Sequence, residues 1–163
     1  PCLDTGPSKL LPIITLNKIG RANLLTQLCD ELAIPQSVAN EIQNGGDNDS
    51  AVTWIQNEGK KMYIKPIDSI APKVASWDLG MGESYVMSWL LKHPGFESII
   101  DDRAARKAAA ILGLPVRGTV SIIAMAKRNG YITSARDEYK KLVNVGFRIS
   151  TAILLKALKL TAK

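Results

Sequence analysis

The feature that most constrains this chain is the stretch 98–112, SIIDDRAARKAAAIL, where a short apolar run ends in two adjacent carboxylates and passes directly into an alanine-rich segment. That order predicts a strand feeding a helix. In open α/β sheets ligands gather beyond the carboxyl ends of the strands, so Asp101 and Asp102 fall where chemistry is expected. Aspartate is also a favoured helix N-cap, and capping alone explains Asp102 ahead of Arg103-Ala104-Ala105 equally well. What tips the balance towards function is that other acids occur at comparable junctions along the chain.

Leu3-Asp4-Thr5-Gly6-Pro7 reads as the end of a strand entering a turn, which sets Asp4 at a strand end. Over 8–28 the apolar residues Leu10, Leu11, Ile14, Leu24, Leu25 and Leu28 recur at helical spacing, with breaks at Pro12 and Gly20, so two helices are expected. A short strand over 31–34 follows, and Pro35 suits the first position of a helix over 36–43. Within it Glu41 lies one turn after Val38 and beside Ile42, on a partly apolar face, although most glutamates so placed are ordinary surface residues.

After a loop over 44–49, a helix over 50–57 and a strand over 62–67 are expected. Gly80-Met81-Gly82-Glu83 then opens an apolar helix running to about Lys92. Glu83 stands in its first turn, where the helix dipole favours a carboxylate whatever its function. His93, the single histidine, stands in the breaker sequence His93-Pro94-Gly95, which argues against a catalytic role. A strand over 114–117 and helices over 120–128, 134–145 and 150–160 complete the pattern. Strands alternating with helices predict an α/β fold, a mainly parallel sheet wrapped by helices. No internal repeat or long linker divides the chain, so one domain over 1–163 is expected.

Composition narrows the class further. With 46% hydrophobic and 22% charged residues the chain has the balance of an ordinary globular protein, which excludes disordered and collagen-like classes. No apolar run reaches the roughly 18 residues of a membrane span, and Pro1-Cys2-Leu3-Asp4 does not resemble a signal peptide, so a cytoplasmic protein is expected. Cys2 and Cys29 have no partner at a metal-ligand spacing, and two reduced thiols are expected. The net charge of +6 is unevenly spread: residues 1–100 carry 8 Lys and Arg against 11 Asp and Glu, whereas residues 101–163 carry 13 against 4. A basic face beside acidic strand ends would attract a polyanion, though Lys127, Arg128, Lys140, Lys141, Lys156 and Lys159 are equally the residues that solvate outer helix faces.

Asp4, Asp101 and Asp102 thus fall at strand ends, with Glu41 and Glu83 on helices that follow strands or loops. In a parallel sheet the strand ends share one edge, so these acids can converge. Four or five carboxylates without histidine or thiolate form a hard-oxygen site, suited to Mg²⁺ or Mn²⁺ and unsuited to zinc. Bound cations would offset the repulsion among the acids and could support an in-line phosphodiester displacement.

Several motifs, in order and spacing, resemble the PIN-domain ribonucleases, and within them a PIN-like branch, long of unknown function, that includes toxin-like nucleases. They are Leu3-Asp4-Thr5-Gly6-Pro7, Leu16-Asn17-Lys18-Ile19-Gly20-Arg21, Ile34-Pro35 through Glu41-Ile42, Gly80-Met81-Gly82-Glu83-Ser84, Ile99-Ile100-Asp101-Asp102-Arg103, Gly113-Leu114-Pro115-Val116 with Gly118-Thr119, Ala126-Lys127-Arg128 with Gly130, and Gly146-Phe147-Arg148-Ile149-Ser150. The resemblance implies a three-layer α/β/α sandwich around a short, mainly parallel sheet and a Mg²⁺- or Mn²⁺-dependent endoribonuclease. It implies Asp4, Glu41, Glu83 and Asp102 as the catalytic acids, with Asp4, Glu83, Asp101 and Asp102 as metal ligands. Asp101 is either a co-ligand or a partner behind the ligands.

Thr5 and Thr119 are the hydroxyls that would line such a site, and Arg103, Arg106, Lys127 and Arg128 are the candidate nucleic-acid contacts. The resemblance further implies an RNA substrate, an antitoxin protein as partner and a homodimer. The chain departs from the family pattern between Gly6-Pro7 and Leu16, where it is longer, and only three residues precede Asp4. Asp4-Thr5-Gly6 is also the aspartic protease signature, but that fold is nearly all β and needs two such loops, whereas this chain has one and is helix-rich. The remaining alternative is a PIN-like scaffold that binds nucleic acid or protein without cleaving.

Overall fold

A computed structural model describes residues 2–4, 12–44, 50–57, 63–64 and 69–161. The chain is mixed α/β and mostly helical, with a small parallel sheet. Its strands are β1 (Cys2–Asp4), β2 (Leu32–Pro35), β3 (Tyr63–Ile64), β4 (Glu97–Ile99) and β5 (Val116–Arg117). The helices are α1 (Pro12–Lys18), α2 (Asn23–Leu28), α3 (Gln36–Gln43), α4 (Ser50–Asn57), α5 (Pro72–Ala75), α6 (Met81–Lys92), α7 (Arg103–Ile111), α8 (Thr119–Arg128), α9 (Ala135–Asn144) and α10 (Thr151–Leu160). The strands lie in the order β3-β2-β1-β4-β5, and every pairing is parallel.

Local chemistry sets most of these boundaries. Pro12 does not break a helix but begins one, because the first helical position has no intrahelical use for an N–H. Gly20, at φ 69°, ends the next turn in a left-handed conformation that favours glycine, and the N–H groups of Gly20 and Arg21 bond back to Asn17 and Leu16. Pro35 closes β2 and caps α3 instead of entering it. Ser134 and Ser150 cap α9 and α10 by accepting from the backbone N–H groups of Asp137 and Ile153. The short helix α5 was not expected, since its four residues are too few to show a periodicity.

Alternation along the strands decides which helices cover which face. Leu32, Ile34 and Ile99 join a core built with α1–α4 and α8–α10, while Ala33 and Ile100 point into two smaller clusters formed with α5–α7. Successive strand residues face opposite ways, so a strand buried along its whole length must be covered on both sides, and β2 is such a strand. On α7 the residues turned inward are Ala105, Ala108 and Ala109, all fully buried. Their small side chains let the helix lie close to the sheet.

Cys29 is disulfide-bonded, which corrects the expectation of two reduced thiols. Spacing in sequence could not show this. The parallel pairing of β1 with β2 sets Cys2 opposite Leu32, just past Cys29. No helix among the described residues is long and apolar enough to cross a membrane.

One buried charge cluster joins the two ends of the chain. Glu138 on α9 is 5% exposed at its side chain, and its Oε1 accepts from Arg21 Nη2 at 2.7 Å and from Lys141 Nζ at 3.0 Å. Burial alone would raise the Glu138 pKa, but the hydrogen bonds and charges of Arg21 and Lys141 outweigh it and hold the carboxyl below its usual range. The Arg21 guanidinium, hydrogen-bonded to Glu138, is correspondingly raised.

A depressed folded-state pKa contributes stability above the unfolded pKa and loses it as pH falls through the folded value. Glu138→Gln is therefore expected to fold but to lose about 1–3 kcal/mol at neutral pH, below the cost of breaking a fully buried pair because both cations are partly exposed. Urea melts check this: the deficit should shrink as pH drops below about 4, the ordinary carboxyl range. A deficit independent of pH would show that packing, not charge, carries the interaction.

Candidate functional site

The chain leaves β1 for β2 and β3 on one side, then returns to β4 and β5 on the other, so the strand order switches direction between β1 and β4. At such a switch point the connections diverge and leave a crevice beyond the carboxyl ends of the strands. The register sets Asp4, the last residue of β1, opposite Ile99, the last of β4. Asp101 and Asp102 follow immediately on one side of that crevice. The side chains of Asp4 and Glu41 lie outside the described part of the structure, as does Thr5. Glu41 belongs to α3, the helix that leaves β2 at the same edge.

The adjacent aspartates do different things. Asp102 is the N-cap of α7, its Oδ1 accepting from the Ala105 N–H at 2.8 Å. The capping explanation is therefore correct as far as it goes, but it uses one carboxylate oxygen. Asp101 turns towards α8 instead. Its Oδ1 accepts from the Thr119 N–H at 2.8 Å and its Oδ2 from the Thr119 hydroxyl at 2.6 Å. Burial pushes the Asp101 pKa up, against the two bonds from Thr119 and the nearby charge of Arg106, and the net shift is upward.

Thr119 is fully buried and held from behind, since the Tyr139 hydroxyl donates to the carbonyl of its neighbour Val120 at 3.1 Å. Burial pushes the Tyr139 phenol up to about 12, so it stays a donor throughout the physiological range. The helix begins at Thr119, with Gly118 as its cap, one residue earlier than the sequence suggests. This clamp leaves no local signal in the sequence, because its partners come from separate elements.

Glu83 is the acid that the structure brings to Asp102. It sits in the first turn of α6, is 5% exposed, and its Oε1 is buried without a hydrogen-bond partner. Burial raises its pKa most, the negative charge of Asp102 raises it further, and a hydrogen bond from the Gly80 backbone only partly offsets them. A buried, unpartnered carboxylate oxygen within reach of a second carboxylate's charge costs an apoprotein stability. It suits a hard divalent cation, which takes oxygen ligands and cancels both charges. Among the described residues no group of three or more carboxylate, imidazole or thiolate side chains could hold a metal by itself.

The basic candidates do not gather in one place. Arg103 and Arg106 stand in the first turn of α7, next to the acids, and both are exposed. Lys127 and Arg128 end α8, roughly 13 Å along the helix axis from Thr119 and so away from the acid edge.

The profile of the DUF3368 family, described as a PIN domain, matches residues 10–163. The chain belongs to this PIN-domain family. The match begins beyond Asp4 and Thr5, so the family assignment rests on the remainder of the chain. No curated protein and no solved structure matches it.

The raised pKa of Glu83 in this PIN domain carries a sign. The ionised form is disfavoured in the fold, so it lowers stability above the folded pKa, and that loss fades as pH falls below the unfolded value. Glu83→Gln is expected to leave the metal-free protein at least as stable at pH 7, with a melting temperature higher by up to about 4 °C. The gain should disappear near pH 3. A variant less stable than the parent at pH 7 in chelator would mean that the charge is already compensated.

Proposed function

We propose that the chain is a single PIN-like domain, with helices in layers on both faces of its sheet, that cleaves RNA with the help of Mg²⁺ or Mn²⁺. The observation that carries this reading is Glu83 Oε1, buried and unpartnered beside Asp102 at the carboxyl edge of a parallel sheet. Membership of a PIN-domain family, many of whose members are nucleases, supports it.

In this reading Glu83 and the free oxygen of Asp102 hold the metal, joined by Asp4 from the facing strand end. A divalent ion there supplies charge neutralisation at the phosphodiester and a more acidic water for attack. The protein's own share is positional. Asp102 is fixed by its bond to the start of α7, and Glu83 by the Gly80 backbone.

Asp101, with both oxygens on Thr119, acts from behind as the strap that sets the distance between β4 and α8. The raised carboxyl pKa of Glu83 means that metal affinity falls as the pH drops through it, since a ligand must be ionised. Arg103 and Arg106, next to the acids, favour a polyanion at this edge. On the same reading an antitoxin protein would restrain the enzyme, and a homodimer is its expected assembly.

Purified protein is expected to cleave single-stranded RNA with Mg²⁺ or Mn²⁺ and to stop in EDTA. Asp102→Asn separates the cap from the ligand: asparagine caps as well as aspartate, so the metal-free melting temperature should change little. Cleavage should fall roughly 100-fold, on the scale of losing a residue that supports a metal. Calorimetric titration of Mn²⁺ into parent and variant gives a readout independent of turnover. Cleavage that persists in chelator, or an Asp102→Asn variant as fast as the parent, overturns the assignment. RNA binding without cleavage in either metal points to the non-catalytic scaffold.

A further inference from the structure

Arg106 leaves α7 one turn after Asp102, whose carbonyl accepts its backbone N–H at 3.0 Å. The residue is exposed, but its guanidinium lies against the chain. It crosses to α8 and rests over Gly118: a Cβ built at position 118 would overlap Arg106 Nη1 and come to 3.0 Å from Asp101 Oδ1. Gly118 has φ −118°, a backbone conformation open to any residue, so the turn does not call for glycine. An alanine there would need the Arg106 guanidinium to move off Gly118.

The seat is not explained by an ion pair. Among the described residues no carboxylate oxygen lies within 4.0 Å of the Arg106 guanidinium; Asp101 feels its charge from further off, and both Asp101 oxygens are already engaged by Thr119. A planar cation with five N–H donors is thus held against backbone, beside a carboxylate edge, with its donors uncommitted. That is the geometry in which arginine binds a phosphate through paired hydrogen bonds, and an anion approaching clustered acids needs such a counter-charge.

We propose that Arg106, seated over Gly118, grips a non-bridging phosphate oxygen of the RNA strand presented to the acid edge, and that residue 118 is glycine to keep the seat open. The inference rests on the nuclease reading above and adds one substrate contact to it. Arg106 and Gly118 act as a unit: one supplies the donors, the other the space.

The test compares parent, Arg106→Gln, Arg106→Lys, Gly118→Ala and Lys107→Gln. Each is measured for binding of a labelled single-stranded RNA by anisotropy across a salt series, for cleavage with Mn²⁺, and for melting temperature. Arg106→Gln should weaken binding about tenfold or more, the scale of a charged hydrogen bond, and lower the salt slope by about one phosphate contact. Arg106→Lys should restore the slope but not the full affinity.

Lys107→Gln, the same charge change on the neighbouring residue, should stay within about threefold, the size of an exposed charge effect. Gly118→Ala removes no charge, yet should reproduce most of the Arg106→Gln loss, and the double variant should lose little more than either alone. Equal effects of Arg106→Gln and Lys107→Gln, or fully additive losses at 106 and 118, overturn the proposal. A parent that binds RNA but cleaves none ends the nuclease reading alone, and the binding series still decides the clamp. A parent that binds no RNA overturns both.

Discussion

Everything at the candidate site depends on the parallel pairing of β1 between β2 and β4. That pairing fixes the register in which Asp4 ends beside Ile99, and so decides that Asp101 and Asp102 project past the same edge. A parallel strand pair cannot be closed by a tight turn, so the connections must cross over as helices and the edge beyond the strands is left open between them. Of the strands whose flanks are also described, β2, β4 and β5, none exceeds four residues. They are held by helix packing on both faces more than by their own ladders, with Ile34 and Ile99 on one side and Ala33 and Ile100 on the other.

The edge divides its polar groups between two tasks. Asp101, Thr119 and Tyr139 form a satisfied chain of hydrogen bonds that fixes the start of α8 against the end of β4. Glu83 and Asp102 are left in opposition, one oxygen buried and without a partner. A protein whose only need was stability would gain by neutralising one of them, because the desolvated like charges raise the free energy of the fold. Glu138 Oε2 is the other buried carboxylate oxygen among the described residues without a hydrogen-bond partner, but there Arg21 and Lys141 offset the charge, whereas at Glu83 the adjacent charge is negative.

Charge is organised on a different scale away from the edge. The Arg21–Glu138–Lys141 cluster sits between the N-terminal helices and α9, far apart in sequence and buried at the carboxylate. It joins the part of the chain that carries Arg21 to the C-terminal helices that support Thr119 through Tyr139. Removing the carboxylate would leave two cations partly buried without a counter-charge, which costs more than an ordinary surface pair. The acid edge and this cluster are therefore opposite cases, the first short of positive charge and the second supplied with it.

Much of this was already legible in the residues. The 3.6 periodicity located most of the helices, the apolar runs the strands, and Asp102 ahead of Arg103-Ala104-Ala105 announced a helix start, because these signals depend on neighbours in sequence. Of the strand expected over 62–67, Tyr63–Ile64 is seen as a strand, and the rest of that range lies outside the described residues. Three matters belonged to the tertiary structure alone: that Asp101 bonds to Thr119, that Glu83 comes near Asp102, and that Cys29 is oxidised. Each joins residues from separate elements, and no local propensity encodes the distance between them. The sequence by itself determined which side chains could do chemistry and which ends of the elements carry them; strand order and packing decided which of those side chains meet.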